Sequence, residues 1–175
     1  MEEHNQNDSV RGEAEEASGS SASVEGGPNL LDKIIATGLG TGLSPFAPGT
    51  VGSLLAFLIY FIPGFHETFI MLPAILIFFA WGTLAADRME KAYGHDPSRV
   101  VIDEIVALWI SLLFLPHRLL LALMAFVIFR VLDIFKPFPA NYFDRRDRGI
   151  SIMMDDVVCG VYTNIILQLY LFFGK

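Results

Sequence analysis

The chain has 175 residues, of which 53% are hydrophobic, and a formal net charge of −7. The hydrophobic share exceeds the roughly 45–50% typical of soluble globular domains, so a membrane protein is the leading class, and the length allows one domain. The single cysteine, Cys159, excludes a disulfide framework within the chain and a cysteine-rich zinc site.

The N-terminal segment carries most of the negative charge. Residues 1–28 hold seven acidic residues against one arginine, which leaves the rest of the chain close to neutral. The segment is rich in Glu, Ser, Gly and Asn and has almost no bulky apolar residue, so it cannot bury enough surface to offset the entropy of ordering it. It also lacks the basic start and apolar centre of a signal peptide. We therefore predict a disordered acidic tail over residues 1–28 and a membrane domain over residues 29–175.

A glycine-rich loop, GLGTGLSPFAPGTVGS, spans residues 38–53 and leads into the first apolar run. Backbone amides in such turns and at helix N-termini bind anions, and Ser44 and Thr50 add hydroxyl groups. No Gly-Lys-Ser/Thr follows, so this is not the nucleotide-binding Walker pattern. A tight turn without any ligand explains these residues equally well.

Five apolar runs follow at regular intervals. A helix needs about 20 apolar residues to cross a bilayer; the first run is short for this and the others approach it. Backbone groups in lipid must be satisfied internally, and the runs lack the alternation of barrel strands, so they are predicted to be helices. We predict an all-α membrane bundle with four to five membrane helices, and the alternative is a very apolar soluble helical bundle. The runs are residues 51–62, 68–86, 100–115, 118–135 and 157–173.

The basic residues indicate an orientation. If all five runs cross the membrane, nine basic residues face one side, and only Arg118 and Lys175 face the other. By the positive-inside rule, the first side is cytoplasmic.

Five carboxylates and two cations are predicted to gather at that cytoplasmic level. Ionisable groups in membrane segments are costly, so they usually face the bundle interior, pair, or serve a functional site. A helix cap would explain Asp103 or Asp155 alone, and a salt-bridge stripe would explain the RxxDxxK spacing alone. The presence of all these groups together favours a site. The seven residues are Asp103, Glu104, Arg130, Asp133, Lys136, Asp155 and Asp156.

Magnesium and phosphate explain this set of residues. Mg²⁺ prefers carboxylate, water and phosphate oxygens, while an arginine and a lysine can hold the remaining phosphate oxygens. Cys159 lies in an apolar run and no Ser-His-Asp order stands out, so metal-activated water with a carboxylate base is the simplest nucleophile, with His95 as an accessory candidate. A transporter or ion carrier that uses intramembrane carboxylates is the alternative, although its acids would be expected at mid-span.

The blocks, in this order, resemble the phosphatidylglycerophosphatase A family of bacterial membranes. The resemblance rests on GLGTGLSPFAPGTVGSL, VVIDEIVALWISL and FVIFRVLDIFKPFPANYFDRRDRGISIMMDDVVCGVYTN, and it covers residues 30–172. The DGxxAR pattern of the CDP-alcohol phosphatidyltransferases, which also handle lipid phosphate, is absent.

The resemblance implies a Mg²⁺-dependent phosphatase that converts phosphatidylglycerophosphate to phosphatidylglycerol and phosphate. Together with the orientation that the basic residues indicate, it predicts a multi-pass protein of the bacterial cytoplasmic (inner) membrane with its site on the cytoplasmic side. The expected partners are the lipid substrate and the membrane, and no nucleic acid. Which carboxylate binds metal and which acts as base stays open. The implied phosphate-binding residues are Ser44, Thr50, Arg130 and Lys136; the implied metal-binding and catalytic residues are Asp103, Glu104, Asp133, Asp155 and Asp156; Asp144 also matches the family pattern.

Overall fold

The computed structural model describes residues 27–94, 97–143 and 149–174. Across these ranges the chain forms seven α-helices and no strand, which confirms the all-α class. Most of the predicted acidic tail, together with His95 and Asp144, lies outside the described residues. The helices are α1 (Leu30–Ala36), α2 (Pro48–Tyr60), α3 (Thr68–Tyr93), α4 (Ile102–Leu112), α5 (Leu119–Phe135), α6 (Ala140–Phe143) and α7 (Gly149–Phe173), with a short 3₁₀ helix at Thr41–Leu43 between α1 and α2.

The first helix is fixed at its start and along its buried side. Its capping box joins Asn29 and Asp32, with the Asp32 backbone N–H 2.8 Å from Asn29 Oδ1. The Asp32 side chain is buried and accepts two hydrogen bonds, of 2.8 and 2.9 Å, from Arg88 of α3. The paired charges therefore attach α1 to α3.

Helix α4 lies at the centre of the bundle. Nine of its eleven residues are buried, and it packs against α2, α3, α5 and α7. The Trp109 indole N–H donates to the Ala56 carbonyl of α2 at 3.1 Å. Gly160 has no side chain, so α7 can approach the Ala107 carbonyl closely. The Asn164 amide donates to three carbonyls at the end of α4, those of Ile110, Ser111 and Leu113.

Two of the described helices, α3 and α7, are long and apolar enough to cross a membrane, and α2 is a shorter apolar helix. The predicted four to five membrane helices are not confirmed. At about 1.5 Å per residue, α4 spans roughly half of the ~30 Å hydrocarbon core. Its apolar side chains are covered by other helices, whereas Leu76, Ile77 and Leu84 of α3 are exposed, as expected for a helix that faces lipid.

Helix α7 begins eight residues before the apolar run that predicted it. The apolar run covers residues 157–173, but the helix begins at Gly149, so Asp155 and Asp156 lie about two turns into the helix and not at its start. A Cβ atom at Gly149 would overlap the α3 backbone at Thr83 and Asp87, so the missing side chain permits this start.

Candidate active site

A cavity of about 220 Å³ lies at the end of the bundle where α2 and α4 begin and α5 ends. All seven charged residues singled out in the sequence line it. They come from the first turn of α4, the last two turns of α5 with the residue after it, and a position about two turns into α7. This arrangement places the acids at one end of their helices. A carrier with mid-span carboxylates is therefore not favoured.

Three of the carboxylates form a cluster within the pocket. Asp103, Glu104 and Asp156 each offer one oxygen, and these oxygens lie within 4.8 Å of one another. Glu104 Oε2 and Asp156 Oδ2 are buried and accept no hydrogen bond within the described part of the chain. Buried carboxylate oxygens are normally satisfied, so these two atoms are available to a ligand.

The other two carboxylates hold the cations. Arg130 Nη1 lies 2.7 Å from Asp133 Oδ2 and 3.9 Å from Glu104 Oε1. Lys136 Nζ lies 2.8 Å from Asp155 Oδ2, which joins the end of α5 to α7. The RxxDxxK spacing thus produces the predicted Arg130–Asp133 pair, while the lysine contacts a second helix.

The lysine reaches that helix because the backbone turns sharply at the end of α5. Lys136 has φ 43° and ψ 66°, in the left-handed region that non-glycine residues rarely adopt. Ala47, before α2, has φ 43° and lines the same cavity. Two strained residues at one pocket are typical of a functional site, where surrounding contacts hold the backbone in place.

The start of α2 forms part of the pocket wall, next to Glu104. A Cβ atom at Gly49 would overlap Glu104 Oε1 and would lie 3.3 Å from Arg130 Nη1, so only glycine leaves room for both. Gly49 lies in the SPFAPGT turn, and its close contact with Glu104 could not be predicted from the sequence. Ser98 and Val100, from the α3–α4 connection, also line the cavity and carried no signal in the sequence.

The two predicted hydroxyl groups are not among the residues that line this cavity. The Ser44 hydroxyl donates to the Phe46 carbonyl at 2.9 Å and so stabilises the turn before α2. Thr50 lies one residue beyond Gly49 in the first turn of α2. Both stay predictions as phosphate ligands.

The charges of the pocket favour a divalent cation with a phosphate. Five carboxylates face two cations, which leaves an excess of three negative charges when all are ionised. All the acidic ligands offer oxygen, the donor that Mg²⁺ and Ca²⁺ prefer. The all-α bundle, its exposed apolar helices and the acidic pocket at one end indicate the class of helical membrane proteins with a charged pocket.

Comparison with known proteins identifies the family within that class. The family model described as Phosphatidylglycerophosphatase A matches residues 34–171, and the chain belongs to this family. A protein named Phosphatidylglycerophosphatase A from Escherichia coli is 40% identical over 141 residues, 77% of this chain and 80% of that protein. Its namesake from Haemophilus influenzae is 36% identical over 150 residues, 79% and 89% of the two chains.

A third relative carries a different name. A Bacteroides thetaiotaomicron protein provisionally named phosphatidylinositol-3-phosphatase is 41% identical over 148 residues, 80% of this chain and 93% of that protein. No solved structure matches the chain. Family membership supports a phosphatase, a hydrolase of lipid metabolism, and together with the two candidate spans it indicates a membrane protein.

Proposed function

We propose that this protein is a phosphatidylglycerophosphatase that uses Mg²⁺ and water to remove the terminal phosphate of phosphatidylglycerophosphate. One observation carries the proposal: five carboxylates, one arginine and one lysine line a single small pocket in a chain of this family. We place the reaction at the cytoplasmic face of a bacterial inner membrane, because the sequence puts most basic residues on the side of the pocket.

This cluster of three acids fits a magnesium ion. Asp103, Glu104 and Asp156 bring three oxygens within 4.8 Å of one another, and one buried oxygen each of Glu104 and Asp156 lacks a hydrogen bond among the described residues. A hard cation bound there would offset their repulsion. We therefore assign the metal to these three residues and keep Asp133 and Asp155 as the carboxylates that position Arg130 and Lys136.

The cations fit the phosphate. Arg130 is mostly buried and held by Asp133, so its guanidinium is fixed before substrate arrives. Lys136 is held in the same way by Asp155. Fixed positive groups stabilise the negative charge that spreads over phosphate oxygens during transfer, and they need no reorganisation to do so.

The reaction is an in-line hydrolysis, in which water attacks phosphorus on the side opposite the bond that breaks. Bound Mg²⁺ would supply Lewis-acid polarisation of a phosphate oxygen and make water a better nucleophile. A pocket carboxylate accepts the proton of the attacking water, whose oxygen forms the new bond to phosphorus. The bond from phosphorus to the glycerol oxygen breaks, and that oxygen takes a proton to become the free hydroxyl of phosphatidylglycerol.

A phosphatidylinositol 3-phosphate phosphatase is the second candidate, because the Bacteroides relative bears that name. The same pocket chemistry would serve either headgroup, so the substrate has to be decided by measurement.

The test is phosphate release by the purified full chain in detergent micelles. Phosphatidylglycerophosphate, phosphatidylinositol 3-phosphate and phosphatidic acid are compared, each with Mg²⁺ and with chelator. We expect phosphatidylglycerophosphate to be turned over fastest and chelator to abolish turnover. Faster turnover of the inositol lipid would establish the second candidate. Equal turnover of all three lipids would show a lipid phosphatase without this specificity. Full activity in chelator would exclude a metal from the reaction.

The matched variants are Asp156→Asn in the pocket and Glu67→Gln, an exposed acid before α3 at the other end of the molecule. The first should lose phosphatase activity at normal expression, and the second should retain it. A membrane protein with a purely structural acidic cluster would tolerate both changes.

A further inference from the structure

We propose that three exposed phenylalanines form a hydrophobic lip that holds the glycerol and acyl-chain region of a diacyl phospholipid while its phosphate occupies the acidic pocket. The lip consists of Phe46, Phe135 and Phe138. It would make the enzyme selective for phosphates that are attached to membrane lipid over water-soluble phosphates. This inference rests on the proposed function, since it concerns the same pocket.

The lip residues are among the most exposed large side chains of the protein. Phe46, Phe135 and Phe138 are 82%, 79% and 77% exposed. Phe46 directly precedes Ala47, and Phe135 directly precedes Lys136, two residues that line the pocket. Apolar side chains therefore come from both sides of the pocket wall, from the turn before α2 and from the end of α5.

Hydrogen bonds fix the backbone at two of these phenylalanines. The Ser44 hydroxyl donates to the Phe46 carbonyl at 2.9 Å, and the Tyr162 hydroxyl of α7 donates to the Phe138 carbonyl at 3.0 Å. Both rings lie outside the long helices, on connections that are usually polar where they face water. Their exposure is unfavourable in water and favourable at the lipid interface.

The lip continues into apolar faces of two helices. On α2 and just beyond it, Leu54, Leu58 and Ile62 are exposed at four-residue steps. Such spacing places them on one side of the helix. A similar exposed stripe runs along α5 and ends at Phe135; its members are Leu120, Leu123, Val127, Val131 and Ile134. Acyl chains that start at the lip can thus extend along helices that themselves face lipid.

The size of the pocket requires the headgroup and the acyl chains to occupy different places. At about 220 Å³ it is smaller than the roughly 300–1,000 Å³ of typical small-molecule sites, so it has room for a phosphorylated headgroup but not for two acyl chains. Its charged walls would also exclude them. The chains must remain outside, and the surfaces next to the pocket mouth are the lip and the two stripes.

The first test compares one headgroup with and without its chains. Phe46→Ser, Phe135→Ser and Phe138→Ser are assayed on diacyl phosphatidylglycerophosphate in mixed micelles and on its deacylated, water-soluble counterpart. We expect kcat/KM on the diacyl substrate to fall about tenfold for each change, as expected for loss of one buried aromatic contact. Turnover of the deacylated substrate should stay unchanged. Phe69→Ser, at the far end of the molecule and 75% exposed, should alter neither.

Equal losses of kcat/KM on both substrates, or no loss on the diacyl substrate, would refute the proposed role of the lip. If the unaltered enzyme released phosphate from neither substrate, the proposed function would fail. The lip would then be tested only by how deeply its residues lie in the membrane. For that measurement, spin labels at Phe46→Cys and Phe138→Cys in a Cys159→Ala background are placed in lipid nanodiscs. We expect labels accessible to oxygen and shielded from a water-soluble nickel chelate, with Lys91→Cys as the exposed control. Labels as accessible to nickel as the control would refute the proposal.

Discussion

Neutralising one pocket carboxylate should stabilise the metal-free protein while abolishing its response to magnesium. Asp156→Asn keeps the shape of the side chain and removes one negative charge from the group formed with Asp103 and Glu104. Asp156 is 3% exposed, and its Oδ2 accepts no hydrogen bond from the described residues, so the change breaks no contact of that atom that the structure shows.

The magnitude follows from the spacing of the oxygens. Two unit charges 4.8 Å apart repel by about 3 kcal/mol at an effective dielectric constant of about 20. Asp156 takes part in two such pairs. Water at the pocket mouth, relaxation of the side chains and proton uptake by the clustered acids all reduce the gain, so we expect about 1–3 kcal/mol in the free energy of unfolding, or roughly 2–10 °C in Tm. A site filled at 100 times its Kd gains about 2.7 kcal/mol from the ligand, and the variant loses this gain.

The assay is thermal unfolding in detergent, followed through the fluorescence of Trp81 and Trp109, in chelator and in Mg²⁺. In chelator the variant should unfold at a higher temperature than the unaltered protein; in Mg²⁺ the order should reverse or the difference should vanish. Glu67→Gln serves as the control and should behave as the unaltered protein in both buffers. A lower Tm of Asp156→Asn in chelator, or an undiminished response to Mg²⁺, would refute the assignment of this carboxylate to the metal.

Three further changes test other parts of the structure. Gly49→Ala should lower kcat/KM by about 100-fold with little change in Tm, because the added methyl group displaces Glu104 while alanine is the better helix former. Arg88→Met should lower the free energy of unfolding by about 1–3 kcal/mol in chemical or thermal unfolding, since it leaves the buried Asp32 carboxylate without its cation. Partial desolvation and the neighbouring His66 lower the pKa of the exposed His117 imidazole. Tm should therefore fall slightly between about pH 7.5 and 5.5, because the unfolded chain takes up the proton more readily, and His117→Gln should weaken this fall.

Each of these has a distinct contrary result. Gly27→Ala, where nothing lies within 4 Å of the new methyl group, is the control for the glycine change; full activity of the Gly49 variant would show that the wall tolerates a side chain. Unchanged unfolding of the arginine variant would mean that α1 is attached by apolar packing. His117 is stacked on His66 with 4.0 Å between ring centroids, so an identical pH profile in His117→Gln would assign the acid sensitivity to other groups.

The charged residues of the candidate site could be predicted from the sequence, because charged side chains are energetically unfavourable in apolar runs and are therefore uncommon there. Asp103 and Glu104 interrupt a hydrophobic run, and a bundle with short connections can bring such groups together at one end. The spacing also predicted the Arg130–Asp133 pair, but the contact between Lys136 and Asp155 could not be predicted. Lys136 contacts Asp155 because the backbone enters the left-handed region after α5, and nothing in a lysine signals that conformation.

The number of membrane helices was harder to predict, for a related reason. Hydropathy counts apolar residues but does not distinguish a side chain that faces lipid from one that faces protein. In α4, Val106, Leu108 and Leu112 are almost fully buried by neighbouring helices, while α3 exposes leucines and isoleucines of the same hydropathy. The eleven residues of α4 are central because Trp109 and the small Ala107 fix α2 and α7 against it, and such contacts depend on tertiary structure.

The contacts in the pocket divide its carboxylates into two groups with different consequences. Asp133 and Asp155 each lie within 2.8 Å of a cation, so their charges are compensated within the protein and they can hold Arg130 and Lys136 whether or not substrate is present. Among the described residues, Asp103, Glu104 and Asp156 have one nearby cation, Arg130, whose Nη1 lies 3.9 Å from Glu104 Oε1. We therefore propose that the uncompensated cluster attracts a divalent ion while Arg130 and Lys136 attract a phosphate. On this proposal, the unequal distribution of charge, more than the number of acids, suits this end of the bundle to the hydrolysis of a phosphate ester.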